Sequence, residues 1–340
     1  MTKLLFKLMN ELGVSGDEIR IKNIIKKEIK NHVDSITTDK LGNMIAIKKG
    51  KKPVLMLAAH MDEIGLMIKH IRENGTMSFS VVGGLEPLVL LGQLVTIITR
   101  KGKKIKAVIT TKELSADHEV KKLPDSIHMF IDTGLTLNQL KKAGIEVGTY
   151  VGFEQSTEFL GNSKNMIVGK AIDDRIGCYI LIELIKKLKK TPYEVNYVFT
   201  VQEEVGLYGS KTSAYQLNPD WAIAIDTTNS NEHNIEITRT VGMGPCLKYK
   251  DAELLSNQLL DDWIMDLARK NKIPIQPEVS DFGSTDAMSM SVSKGGIPTT
   301  VISIAVKNIH SAVSICEMND IKNTIKLLEL LIKNPPKFVK

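Results

Sequence analysis

Aromatic residues make up only 5% of the 340 residues, and there are three cysteines. So few rings leave no stacking platform for single-stranded nucleic acid. Cys178, Cys246 and Cys316 stand far apart, in no CxxC or zinc-ribbon spacing. That excludes a disulfide scaffold and a thiolate zinc site, and it fits free thiols in a reducing compartment. Long apolar runs are missing as well. No segment reaches the length needed to span a bilayer, and the stretch from Met1 to Glu18 has neither the apolar core nor the cleavage site of a secretory signal. These absences predict a cytoplasmic protein without a membrane partner.

The charge balance of +6 is modest, and the lysines behind it (Lys26, Lys27, Lys30, Lys186, Lys187, Lys189, Lys190) are scattered. Scatter of this kind marks solvated helix faces and not a nucleic-acid surface. A hydrophobic fraction of 43% and a charged fraction of 25% are those of an ordinary globular chain. At 340 residues the chain exceeds one ordinary core, which predicts a large domain with a smaller companion.

Periodicity supplies the order of elements. Leu4, Leu5, Leu8, Met9 and Leu12 recur at helical spacing, and Ile21, Ile24, Ile25 and Ile29 predict a second helix reaching about His32. Ser15 and Glu18 have the spacing of a capping box for that second helix. Met44–Ile47 and Val54–Ala59 read as strands, the second apolar throughout and so buried on both faces. From Gly65 to Gly161 the texture changes to short strands, such as Val95–Thr99 and Ala107–Thr110, set between Asn74-Gly75, Gly83-Gly84 and Lys101-Gly102 turns, with one helix at Thr136–Ala143. Helices then resume at Arg175–Lys190, Leu254–Lys270 and Asn319–Lys333, between strands at Val195–Val201, Trp221–Ile225 and Val301–Val306. The expected architecture is α/β: a mixed-sheet α/β/α domain formed by residues 1–65 and 162–340, interrupted at 66–161 by a small β-barrel-like insert.

Five polar clusters sit at the ends of apolar runs: His60-Met-Asp62, Asp173-Asp174, Glu203-Glu204, Asp226 and Asn308-Ile-His310. Taken singly, each has a plainer explanation: a satisfied His–Asp pair, a helix cap, solvated glutamates. Ligands of open α/β sheets, however, bind beyond the carboxyl ends of strands, and one such edge would gather all five. Two histidines and several carboxylates without a thiolate suit zinc, cobalt or manganese. Asp173 could bridge two such ions and offset their repulsion.

The segments Gly13-Val-Ser-Gly-Asp-Glu18, Asp39-Lys-Leu-Gly-Asn43, Ala59-His-Met-Asp-Glu-Ile-Gly65, Lys170-Ala-Ile-Asp-Asp-Arg175, Gln202-Glu-Glu-Val-Gly206 and Gly295-Gly-Ile-Pro298 span nearly the whole chain. In this order they resemble the M42 metallo-aminopeptidases, among them the glutamyl aminopeptidases and the tetrahedral TET peptidases. The resemblance implies a dinuclear metallopeptidase that removes N-terminal residues from peptides. By it, His60 and Asp226 ligate one divalent ion, Glu204 and His310 a second, and Asp173 both; zinc or cobalt is expected, with manganese the third option. Asp62 would orient the His60 ring, and Glu203 would be general base and then acid. Thr285 and Asp286 would contact substrate. A cis peptide between Asp173 and Asp174 is implied too, as is self-association through the insert, from dimer up to dodecamer. One departure stands out: Lys307 and Asn308 occupy the place of the family's usual Arg-Tyr, which predicts a change in pocket lining or subunit contact. His32, His70, His118, His128 and His233 match no ligand motif and are expected on the surface or the insert.

Two other functions compete. The same carboxylates would serve a dinuclear deacylase or other amidohydrolase of small substrates, and a peptidase scaffold can be a non-catalytic peptide binder. The intact set of ligands and base argues against the latter. Endoglucanase activity, a label some family members carry, needs two free carboxyl groups and not metal-occupied ones.

Overall fold

The computed structural model describes residues 2–115, 122–230 and 239–339. The chain opens with helices α1 (Thr2–Asn10) and α2 (Ile19–Ile29), then strands β1 (Ser35–Thr38), β2 (Met44–Lys48) and β3 (Leu55–His60). Strands β4 (Gly65–Ile71), β5 (Met77–Val82), β6 (Leu94–Ile98), β7 (Lys104–Thr111) and β8 (Met129–Asp132) follow, then α3 (Leu137–Ala143) and β9 (Tyr150–Phe153). Next come β10 (Glu158–Phe159), β11 (Met166–Gly169), α4 (Ile172–Lys187), β12 (Val195–Thr200), α5 (Tyr208–Leu217) and β13 (Trp221–Asn229). The chain ends with β14 (Cys246–Lys250), α6 (Gln258–Lys270), β15 (Gln276–Val279), α7 (Asp286–Ser291), β16 (Thr299–Val306), β17 (Ser314–Glu317) and α8 (Met318–Lys333).

The main sheet runs β1-β2-β12-β3-β13-β16-β14-β15. Its four central strands, β12, β3, β13 and β16, are parallel, while β2 and β14 flank them antiparallel. Continuous burial along β3, β12 and β16 follows from helices on both faces. Helices α1, α2, α4, α6 and α8 enclose one apolar core with Leu57, Tyr197 and Ile225, and α5 and α7 close the other face over Ala58, Val198 and Ala224. Strands β10, β11 and β17 form a separate small sheet.

Strands β4 to β9 close a barrel in the order β4-β5-β8-β7-β6-β9, filled by Leu66, Ile68, Val95, Ile97, Ile109, Ile131 and Val151. Only four residues separate the end of β3 at His60 from the start of the barrel at Gly65. Gly65 lets the barrel seat closely, since a Cβ there would lie 2.4 Å from Val14 and 2.9 Å from the Val151 carbonyl oxygen. Beneath this junction Arg175 is fully buried. It donates to the carbonyls of Met61, Leu8, Glu11 and Gly13, while Lys170 Nζ lies 2.7 Å from Glu63 Oε2 and Arg175 Nη2 3.3 Å from Glu63 Oε1.

Two expectations change. The capping box proposed at Ser15 and Glu18 is absent: no side chain caps α2, because the carboxylate of Asp62 takes the Ser15 hydroxyl and Glu18 turns inward to backbone amides. The helix read as starting at Arg175 begins at Ile172, with non-helical backbone at Asp173 and Asp174 and a cis bond between them. No helix among the described residues is long and apolar enough to cross a membrane.

Candidate active site

The carboxyl ends of the central strands deliver the polar side chains. His60 closes β3, Glu203 and Glu204 follow β12, Asp226 lies in the last half of β13, and His310 follows β16. Asp173 enters from the start of α4. Its two carboxylate oxygens face the two histidines: Oδ1 lies 3.1 Å from His60 Nε2 and Oδ2 3.4 Å from His310 Nε2. His60 Nε2 is 4.0 Å from Asp226 Oδ1, and His310 Nε2 is 3.6 Å from Glu204 Oε2. Ligand atoms thus form two groups, His60–Asp173–Asp226 and Asp173–Glu204–His310, each within 4.8 Å and sharing Asp173.

The electrostatics of this cluster call for cations. Burial pushes Asp226 up to about 8, with Asp173 adding to the effect, and pushes Glu204 up to about 7. Burial also raises Glu203 well above the usual carboxylate range, reinforced by Asp226, Asp286 and Glu204. For Asp173 burial is outweighed by hydrogen bonds from His310 and His60, which hold it far below that range. His310 is raised to about 9: burial opposes its protonation, but Asp173 and Glu204 prevail. Glu204 Oε1 is buried with no partner. An all-oxygen-and-imidazole set with surplus negative charge and an orphaned carboxylate oxygen fits divalent metal ions.

Asp62 is fully buried beside His60. Its carbonyl oxygen, 3.2 Å from His60 Nδ1, is closer to the ring than its carboxylate at 3.5 Å. The carboxylate instead receives the amides of Glu203 and Glu204, at 3.1 and 3.2 Å. Glu203 Oε2 stands 4.0 Å from His60 Nε2, at the wall of a cavity of about 940 Å³.

That cavity is lined by His60, Asp173, Glu204, Asp226 and His310, and by Glu203 and Thr285. Asp286 is not on its wall. It starts α7 facing inward, where it accepts the Thr200 hydroxyl at 2.6 Å, so it lies behind the wall that Thr285 helps to form. Arg239, Lys248, Phe282 and Ile309 line the cavity without having been singled out in the sequence. Lys248 interrupts the short apolar run of β14, and that was its one signal. Arg239 and Lys248 both face the buried Glu278, at 2.8 and 3.5 Å.

The Lys307-Asn308 departure shapes the final turn. The Asn308 carbonyl accepts the hydroxyls of Ser311 and Ser314, and Asn308 and His310 both adopt positive φ. Ile309 and His310 line the cavity while Lys307 and Asn308 do not. His32, His70 and His128 are exposed, the last two on or beside barrel strands; His118 and His233 lie outside the described residues.

Residues 42–327 match the family model described as M42 glutamyl aminopeptidase. The chain belongs to the M42 aminopeptidase family. M42 membership makes it a metal-dependent aminopeptidase, a hydrolase, and favours that activity over the deacylase and the non-catalytic scaffold. Among relatives, the lysyl aminopeptidase of Pyrococcus furiosus is 32% identical, over 97% of this chain and 96% of its own. An aminopeptidase structure from the archaeon Desulfurococcus kamchatkensis superposes with a TM-score of 0.95 at 35% identity, covering 99% of this chain and 96% of the other. The TET1 peptidase of Pyrococcus horikoshii, described as assembling into a tetrahedron or a large octahedral shell, matches with a TM-score of 0.89 at 31% identity over 98% and 99%.

Proposed function

We propose that this aminopeptidase removes single N-terminal residues from peptides with Glu203 as general base and two divalent ions as cofactors. The observation that carries this reading is the placement of the two Asp173 oxygens, one toward each histidine, at 3.1 and 3.4 Å. His60 and Asp226 would hold one ion, Glu204 and His310 the other, and Asp173 both, with zinc or cobalt favoured by the donor set and manganese the third option. When bound, such a pair supplies Lewis acidity, which lowers the pKa of water toward neutrality and offsets charge on the scissile carbonyl oxygen.

The chain's own residues do the rest. Glu203 Oε2 takes a proton from the attacking water and returns it to the leaving nitrogen. Burial supports both roles, since a carboxyl raised above its ordinary range is a better base when ionised and holds its proton for the second transfer. Asp62 fixes the backbone of the Glu203–Glu204 turn. Surplus carboxylates at the site favour the free α-amine of a peptide, the basis for exopeptidase action.

The barrel insert, with Leu88 and Ile127 more than 70% exposed, is our candidate for self-association into dimers and up to dodecamers. Three free, buried thiols support a cytoplasmic location. The test is a panel of aminoacyl chromogenic amides with N-blocked controls, run on chelated protein with and without zinc, cobalt or manganese. Wild type should cleave only free-amine substrates and only with metal. Glu203→Gln should lower kcat by about 10²–10⁴-fold while still binding metal. Turnover of blocked substrates would contradict the aminopeptidase mechanism.

A further inference from the structure

The segment Gly13-Val-Ser-Gly-Asp-Glu18 has no part in metal ligation or proton transfer, yet two of its three oxygen-bearing side chains, Ser15 and Glu18, are buried against the catalytic turn. Three consecutive amides of that turn end on two carboxyl groups. The Gln202 N–H donates to Glu18 Oε1 at 3.2 Å, the Glu203 N–H to Asp62 Oδ1 at 3.1 Å, and the Glu204 N–H to Asp62 Oδ2 at 3.2 Å. Each carboxyl is fixed in turn by the α1–α2 connection. Ser15 Oγ donates to Asp62 Oδ2 at 2.6 Å, and the Gly16 N–H to Glu18 Oε1 at 2.7 Å. The connection is itself clamped to the loop just after the strand that carries His60, since the Ser15 amide donates to the Glu63 carbonyl and the Glu63 amide to the Gly13 carbonyl.

The turn needs such a hold. Gln202 has φ +55°, a left-handed conformation that costs a non-glycine residue. Without partners for its amides it would relax toward ordinary backbone, and Glu203 would swing with it.

Resting on the assignment of Glu203 as base, we propose that Ser15 and Glu18 are positioning residues for it: Ser15 acts through the Asp62 carboxylate and Glu18 through the Gln202 amide. Neither touches substrate. Displacement of a reacting group by about 1 Å costs on the order of 10²-fold, and loss of a supporting hydrogen bond behind a metal site about 10–100-fold. The same range is expected here, in kcat.

The experiment compares Ser15→Ala, Glu18→Ala and the conservative Glu18→Gln, whose amide oxygen still accepts the Gln202 N–H. Each is made alone and on Glu203→Gln. Kinetics are read at saturating zinc or cobalt, beside bound metal per subunit and hydrogen exchange of the 202–204 amides. Ser15→Ala and Glu18→Ala should each lose about 10–100-fold in kcat, with KM and metal content unchanged and faster exchange at 202–204. Glu18→Gln should recover most of the loss, and neither alanine should slow Glu203→Gln further.

Turnover of both alanine variants within about twofold of wild type, an effect too small for a lost supporting bond, would overturn the proposal. So would an equal fractional loss on Glu203→Gln, or a defect confined to metal content. If Glu203→Gln itself kept full turnover, the base assignment would fall, taking the proposal with it; that control separates the two failures.

Discussion

Glu63 sits one residue beyond Asp62 and does a different job. Among the described residues it is the only carboxylate within ion-pair distance of Lys170 and Arg175, both buried, and it also accepts the Gly13 amide. Glu63→Ala would leave two buried cations uncompensated, a loss of about 3–5 kcal/mol. Urea unfolding at neutral pH should show that fall in midpoint, whereas a shift of a few tenths of a kcal/mol would mean that the backbone carbonyls around Arg175 suffice. The candidate site residues His60, Glu203, Glu204 and His310 were legible at this scale because each closes or follows a run too apolar to be anything but buried strand, which puts polar residues at the sheet edge. Asp286 was misread for a local reason: Thr285 and Asp286 are neighbours in sequence, but entry into α7 leaves Thr285 on the cavity and turns Asp286 under it. Ser15 and Glu18 were misread because capping-box spacing says nothing of a competing acceptor brought in by β3. Where no competitor exists, at Thr136 and Gln139 ahead of α3, the same spacing does form the box.

Helix α4 shows the coupling of element to site. Asp174 follows the proposed ligand Asp173, and its carboxylate accepts the amides of His60 and Gly177. A Cβ on Gly177 would lie 2.3 Å from Asp174 Oδ2 and 2.5 Å from Oδ1, in a fully buried setting. Gly177→Ala should therefore cost about 1–3 kcal/mol through overpacking and weaken metal retention, because the displaced carboxylate releases the His60 backbone. Thermal melts beside metal titrations check both parts; a variant with unaltered metal affinity would show that Asp174 does not transmit to His60. The strongly apolar elements β3, β12, β16 and α8 were readable within a few residues. Helix α5 and strands β14 and β15 were not. Two of the four buried α5 residues are serines, Ser210 and Ser213, and β15 is Gln-Pro-Glu-Val, so neither offers an apolar period to detect.

For the molecule as a whole, the metal-free protein holds a cluster of groups whose proton affinities folding has raised. Asp226 at about 8 and Glu204 at about 7 lie above ordinary carboxylates near 4, and His310 at about 9 lies above an ordinary imidazole near 6.5. A raised group stabilises the fold fully below its unfolded pKa and loses that contribution as pH climbs through its folded one. All three therefore act in one direction. Asp173, held far below the carboxylate range, acts in the opposite sense, and its contribution is lost only as pH falls below about 4. Chelated protein should melt at progressively lower temperature from pH 5 to pH 9, and zinc or cobalt should flatten the profile by supplying the charge that protons otherwise provide. Calorimetry at three pH values tests this, and a melting temperature that rises with pH in the chelated protein would contradict it.

Cysteine scarcity has a practical side. Cys178, Cys246 and Cys316 are buried and burial drives all three thiols up, Cys316 to about 12, so almost none is thiolate in the native state. Cys178 also donates to the carbonyl of His60. An alkylating reagent meets nothing to react with until the sheet opens, and then finds a thiol lying directly behind the strand that carries His60. The molecule thus has a built-in reporter, silent while it is intact, that reads the opening of its catalytic layer without any added label.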